Sequence, residues 1–120
     1  MNLNFNKMTK IYHNPRCSKS RQTLEILENN NQEIEIIKYL DNPPTYEELK
    51  AIIELLGISP LELIRKGEAI WKNQFKGKSL SDKELITAMI NHPKLIERPI
   101  VIKGKKAVIG RPPSLVLDII

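Results

Sequence analysis

The sequence predicts one α/β domain in the order β-α-β, then helices, then β-β-α. Three observations predict it. The 120 residues are one domain's worth of chain, large enough for a single core. Hydrophobic residues make up 41% and charged residues 28%, the balance of an ordered globule. Short β-prone runs stand at both ends, and the stretch between them has the 3.6-residue period of amphipathic helices.

In order, Lys10-Ile11-Tyr12-His13 is a short β-prone run closed by Asn14-Pro15, a strand entering a tight loop. Ser18 to Asn29 reads as a helix, with Ser20, Leu24 and Leu27 on one face and the Asn29-Asn30-Asn31 run as its stop. Glu35 to Leu40 reads as a second strand, its consecutive apolar residues implying burial on both faces. Two strands joined through a helix imply a parallel pair with a right-handed crossover. Asp41-Asn42-Pro43-Pro44 ends this half.

The middle, about residues 45–92, is expected to be a helical insertion. Thr45 with Glu48, Ser59 with Glu62 and Ser81 with Glu84 each have capping-box spacing, in which hydroxyl and carboxylate satisfy orphan backbone donors. The first helix carries Leu49, Ile52, Ile53 and Leu56, with Gly57 as its stop. A second opens on Pro60 and is expected to end near Lys66-Gly67. A short helix around Trp71 and a polar loop follow, and then a helix with Leu85, Ile86, Met89 and Ile90 that ends before His92-Pro93. Residues 99–102 and 106–109 bracket Lys103-Gly104-Lys105 as an antiparallel hairpin, and Ser114 to Ile120 reads as a closing helix. This is the thioredoxin-like order with helices inserted between its halves, and residues 1–120 are read as a single domain.

Several function classes are excluded early. No apolar run reaches the roughly 18–20 residues that span a membrane. Residues 1–7 read as a short polar leader with no signal-peptide core. One cysteine allows neither an internal disulfide nor a thiolate zinc cage, His13 and His92 are not spaced as ligands, and no metal or bound cofactor is expected. A reducing, cytoplasmic setting follows. Charge is uneven: five bases and no acid precede Glu25, residues 25–93 sum to −4, and residues 94–111 sum to +5. If folding joins the two basic ends, they form a positive surface suited to a small anion. With 5% aromatics and no nucleic-acid-binding signature, nucleic acid is not the expected partner.

Cys17 is the residue whose placement asks for a chemical reason. It follows a strand and a Pro-containing loop and opens a helix, where free N–H groups and the helix dipole favour a thiolate. Arg16, Lys19 and Arg21 add positive charge, and His13 could loop back to raise the thiolate fraction. The same N–H groups can hold an oxyanion against the sulfur. Arginine suits that task because its fork binds oxyanions bidentately. The chain has five Arg against fourteen Lys; two flank Cys17, and the others are Arg65, Arg98 before Pro99, and Arg111 before Pro112. Proteins of this strand order place a cis-proline before the strand that faces the cysteine. Pro99 in that role would set Arg98 beside Cys17. Asn14 is expected to bond loop backbone, and Ser20 either donates to the thiolate or is a plain first-turn serine.

Together, residues 11–21 (IYHNPRCSKSR), Tyr39 to Thr45, Leu63-Ile64-Arg65-Lys66, Glu97 to Val101 and Gly110-Arg111-Pro112 resemble the glutaredoxin-coupled arsenate reductases of the ArsC family, in its short, YfgD-like branch. The resemblance runs from Ile11 to the C-terminus. It implies a nucleophilic Cys17, an oxyanion held by Arg65, Arg98 and Arg111, and supporting roles for His13, Asn14, Ser20 and Pro99. It implies glutathione as co-substrate, and glutaredoxin or another external thiol as partner. A lone cysteine agrees independently, since resolution must then come from outside the chain. Two departures stand out: Arg16 and Ser18-Lys19 replace the small residue and the Gly-Thr type pair of arsenate-detoxifying members, and the sequence ends at Ile120 without their C-terminal extension.

Three other functions compete with this one. A low-molecular-weight phosphatase needs an Arg six residues after its Cys, where this chain has Thr23. A redox regulator of the Spx type, which binds RNA polymerase, typically carries Cys-x-x-Cys, whereas Cys17 to Ser20 holds one thiol. A monothiol, glutaredoxin-like oxidoreductase would use the bases to hold glutathione carboxylates.

Overall fold

The computed structural model describes residues 8–120, so the leader expectation for residues 1–7 lies outside the described residues. Strand β1 (Met8–Tyr12) leads through a loop into α1 (Ser18–Asn29), β2 (Glu33–Ile37), α2 (Tyr46–Leu56), α3 (Ala69–Gln74), α4 (Asp82–Asn91), β3 (Ile100–Lys103) and β4 (Lys106–Ile109). The chain divides into two compact units, one of residues 8–42 with 98–120 and one of residues 43–97.

In the first unit the four strands form one sheet in the order β2-β1-β3-β4. β1 pairs parallel with β2, opposing Tyr12 to Ile37, and antiparallel with β3, opposing Tyr12 to Ile100. The expected hairpin is present, with Val101 opposite Val108 and Gly104 at a φ of +60°, where an L side chain is disfavoured. Ile11, Leu27, Val101 and Val116 form the fully buried cluster beneath the sheet. The second unit is helical, and α2 buries Leu49, Ile52 and Ile53 while α4 buries Leu85, Ile86 and Met89. Both expected capping boxes at these helix starts form: Glu48 N–H donates to Thr45 Oγ1 at 3.1 Å, and Glu84 N–H donates to Ser81 Oγ at 3.2 Å. Gly57 closes α2 at φ +68°.

The thioredoxin-like fold class holds, and three element expectations are corrected. β2 begins two residues early, at Glu33, and it is not buried on both faces. It is an edge strand, and Ile36 is 46% exposed. The run Ile36-Ile37 mimics a central strand because apolar content reports how much can be buried, not whether a neighbour exists to bury it. After Ile37 the chain turns, with Asp41 and Asn42 N–H both reaching Lys38 O, and this turn carries Tyr39 into the interior. The helix expected from Pro60 to Lys66 is only a 3₁₀ turn, Pro60–Leu63. Ile64 goes extended to pair with Ile96, and Arg65 N–H donates to Leu95 O at 2.7 Å, so tertiary pairing takes the donors a helix would have used. The closing helix is likewise a 3₁₀ segment, Pro113–Asp118. The two prolines at its start, Pro112 and Pro113, supply no N–H donors.

Candidate active site

The loop between β1 and α1 is held by its own sequence. His13 N–H extends the pairing of β1 by donating to Ile37 O at 2.8 Å. Asn14 then closes the turn twice, its carbonyl accepting from Cys17 N–H and its Oδ1 from Arg16 N–H, both at 3.0 Å. Arg21 Nη1 donates back to Pro15 O at 3.0 Å. Cys17 is thereby set at the N-cap of α1 in extended conformation (φ −96°, ψ 122°), with Arg21 N–H bonded to its carbonyl.

Ser20 locks this loop from within. Its Oγ accepts from Asn14 N–H at 3.0 Å and lies 2.6 Å from His13 Nδ1, the direction of that second bond following the histidine tautomer. All three residues are buried. Burial, followed by repulsion from Lys38 and Arg21, pushes the His13 pKa below its ordinary value of 6.5, so the ring is neutral at pH 7. His13 and the Ser20 hydroxyl thus brace the loop and each other; what Ser20 offers the sulfur is its backbone N–H.

Two arginines from the other half of the chain converge on the sulfur. The Arg98–Pro99 peptide is cis, as the sequence suggested, and the Arg111–Pro112 peptide is cis as well, which nothing in the sequence had indicated. Pro99 is buried just ahead of β3, opposite the end of β1. Arg98 hydrogen-bonds Cys17 through its guanidinium, and the Tyr39 hydroxyl holds it from another side. Arg111 Nε donates to Arg98 O at 2.7 Å, which aims its Nη2 at Cys17 Sγ, 3.6 Å away. Burial alone would raise the Cys17 pKa. The N–H groups of Ser20 and Lys19, together with the hydrogen bond and charge of Arg98, outweigh it, and the thiol sits below its ordinary value. Cys17 is 9% exposed, and the surroundings of its sulfur are cationic and rich in N–H donors, which favours a thiolate and any oxyanion brought against it.

Arg65 lies in the other unit, and its environment differs. Its Nη1 donates to Glu97 Oε1 at 2.8 Å, and its Nε faces Glu68 Oε2 at 3.5 Å. Of the bases near Cys17 in sequence, Arg16 and Lys19 are exposed.

Sequence reasoning missed three residues that shape this site. Tyr39 is buried against Arg98, but a β-strand assignment hid the turn that puts it there. Thr23 and Gly110 make a close seam: Gly110 N–H donates to Pro99 O at 2.9 Å, and a Cβ at Gly110 would lie 2.5 Å from Thr23 Oγ1 and 2.9 Å from Pro99 Cγ. The only sequence signal was a glycine directly before Arg111.

Known proteins resemble this chain in sequence and in fold. The sequence profile of the ArsC family covers residues 12–119. YfgD of Escherichia coli (strain K12) is 48% identical over 116 residues, which is 95% of this chain and 98% of that protein. An arsenate reductase of Haemophilus influenzae is 46% identical over 92% of this chain and 97% of its own. The solved structure of an arsenate reductase from Vibrio cholerae superposes with a TM-score of 0.91 at 47% identity, over 95% of this chain and 98% of that one. With a profile match over nearly its whole length and relatives this similar end to end, the chain belongs to the ArsC family.

Proposed function

We propose that this protein is an oxidoreductase that reduces arsenate, or a closely related oxyanion, through a Cys17 thiolate, with glutathione as co-substrate and glutaredoxin or another external thiol as the final reductant. One observation carries the reading: Arg98 and Arg111 meet at the sulfur of a cysteine that caps a helix. The names of the Haemophilus and Vibrio relatives support arsenate as the oxyanion. A lone cysteine supports an external resolving thiol, and a reducing, cytoplasmic setting suits both.

The thiolate attacks arsenic(V), and an arsenate oxygen leaves as water. Arg98 and Arg111 offset the repulsion between the two anions and hold the remaining oxygens. Glutathione adds its sulfur, arsenic takes two electrons and departs as arsenite, and Cys17 is left in a mixed disulfide with glutathione. One arsenate and two thiols thus yield one arsenite, one disulfide and one water. Glutaredoxin then removes the glutathione by thiol–disulfide exchange. The family pattern assigns Arg65 to the oxyanion too, although here an oxyanion must compete with Glu97 and Glu68 for it.

Arsenite formation by the purified protein with arsenate, glutathione and glutaredoxin tests this. Wild type should turn over and Cys17→Ser should not. Arg98→Ala should lose about 10²–10³-fold in rate, the cost of removing one preorganised donor to a developing charge. Arg65→Ala, whose charge is already partly offset, should lose less. No arsenite from wild type at saturating thiol ends the arsenate assignment, and turnover of a glutathionylated peptide in its place would make the protein a monothiol oxidoreductase.

A further inference from the structure

Residues 43–97 hold a cleft of about 420 Å³ that the thiol chemistry does not use. Its floor is apolar. It is made by Trp71 of α3 with Leu61, Leu80 and Leu85. Leu61 is 39% exposed, whereas Trp71 and Leu85 are buried, so a ligand reaches this floor through the cleft itself. The rim is cationic: Lys66, Lys72, Lys76 and Lys78 all line the cleft. Lys72 and Lys76 are four apart in sequence, and the chain reverses at Gly77, φ +81°, before Lys78.

The sorting of charge is what marks this cleft. Residues 43–97 contain eight bases and eight acids, yet four of those bases and none of those acids line it. Ordinary surfaces intersperse the two signs, because four like charges around one opening repel each other. Among the described residues none of the four lysines has an ion-pair partner, while five of the eight carboxylates of this unit are engaged elsewhere, Glu48, Glu62 and Glu84 at helix starts and Glu68 and Glu97 at Arg65. Lysine stems also cover apolar surface while the ammonium group stays in water, so a single lysine at a hydrophobic edge means little. Four around one indole-floored cleft, with no acid, supply an apolar slot and an anion-attracting rim in the same place. The volume lies within the range of small-molecule sites and is small for a folded partner.

We propose that this cleft binds a small amphiphilic anion, one with an apolar chain or ring of roughly eight to ten carbons and a single carboxylate, phosphate or sulfonate head. The body lies on Trp71 and the leucines, and the head meets the lysine rim. The inference is independent of the Cys17 reading and survives its failure.

Trp71 is the only tryptophan of the chain, so its fluorescence reports on this cleft alone. Octanoate should shift its emission saturably, with a Kd at least about tenfold lower than that of uncharged 1-octanol or of inorganic phosphate, since either lacks half of the recognition. Rising salt should weaken octanoate and leave octanol unchanged. The double variant Lys72→Gln/Lys76→Gln, two exposed positions, should lose at least about tenfold for octanoate while its unliganded Trp71 emission and its melting temperature stay at the wild-type values, which shows the fold intact. The proposal is overturned if octanoate leaves Trp71 unperturbed, if octanol binds equally well, or if the double variant binds as wild type. An acidic, leucine-containing peptide that shifts Trp71 where octanoate does not overturns it in favour of a protein partner.

Discussion

Gly110→Ala tests whether the seam between α1 and the cis-proline loop sets the arginines. Gly110 does not have a positive φ, so alanine is compatible with the backbone and only contacts are at stake. The new methyl would lie 2.5 Å from Thr23 Oγ1, 2.9 Å from Pro99 Cγ and 3.2 Å from Thr23 Cγ2, where ordinary contact begins at 3.4 Å. Neither neighbour has room to retreat. Thr23 is fully buried with its hydroxyl donated to Lys19 O at 2.8 Å, and Pro99 is a closed ring tied by its carbonyl to Gly110 N–H. Overpacking of this kind costs about 1–3 kcal/mol. At roughly 4 °C per kcal/mol for a chain of this size, Tm should fall by about 4–12 °C. Thr23→Ala removes two of the three close atoms, so in Thr23→Ala/Gly110→Ala the costs should not add, and the double mutant should be more stable than the sum by about 0.5–3 kcal/mol. Because Arg111 is the next residue, the single variant should also slow Cys17 alkylation. A Gly110→Ala protein that melts within about 1 °C of wild type, or a cycle with additive costs, refutes the seam.

Two further outcomes follow from the site's electrostatics. Arg98→Ala removes both a hydrogen bond to the thiolate and a charge beside it, so the midpoint of Cys17 alkylation against pH should move up, and Arg98→Lys should restore it in part; an unmoved midpoint detaches Arg98 from the sulfur. His13 is held neutral by burial and by Lys38 and Arg21, so below pH 6.5 the unfolded chain binds a proton that the folded one resists. Its share of stability is complete above 6.5 and is lost as pH falls from there toward the folded value, at up to about 1.4 kcal/mol per pH unit. Urea midpoints of wild type and His13→Gln should therefore diverge between about pH 7 and pH 5, and parallel curves would show that His13 titrates alike in both states.

Sequence patterns were sufficient wherever the physics is local. The limits of α1, the capping boxes at Thr45 and Ser81, the stop at Gly57 and the β3–β4 hairpin depend on residues within one or two turns of each other. The cysteine's place at a helix start was equally local, as was the presence of an arginine before each of two prolines. Neighbours far along the chain decided the rest. Ile36 has the same composition in a central or an edge strand, and only the sheet order exposes it. Ile64 and Arg65 left the helix their cap predicted because Leu95 and Ile96 offered a better partner. The sequence by itself determined that one thiol and several loop arginines exist. Its motifs and the family resemblance point to Arg65, Arg98 and Arg111 at that thiol; only the tertiary structure supplied the contacts of Arg98 and Arg111 with the sulfur and set Arg65 against Glu97 and Glu68. A guanidinium's role is set by the charge it meets in space, and nothing in the order of residues specifies that charge before the chain has folded.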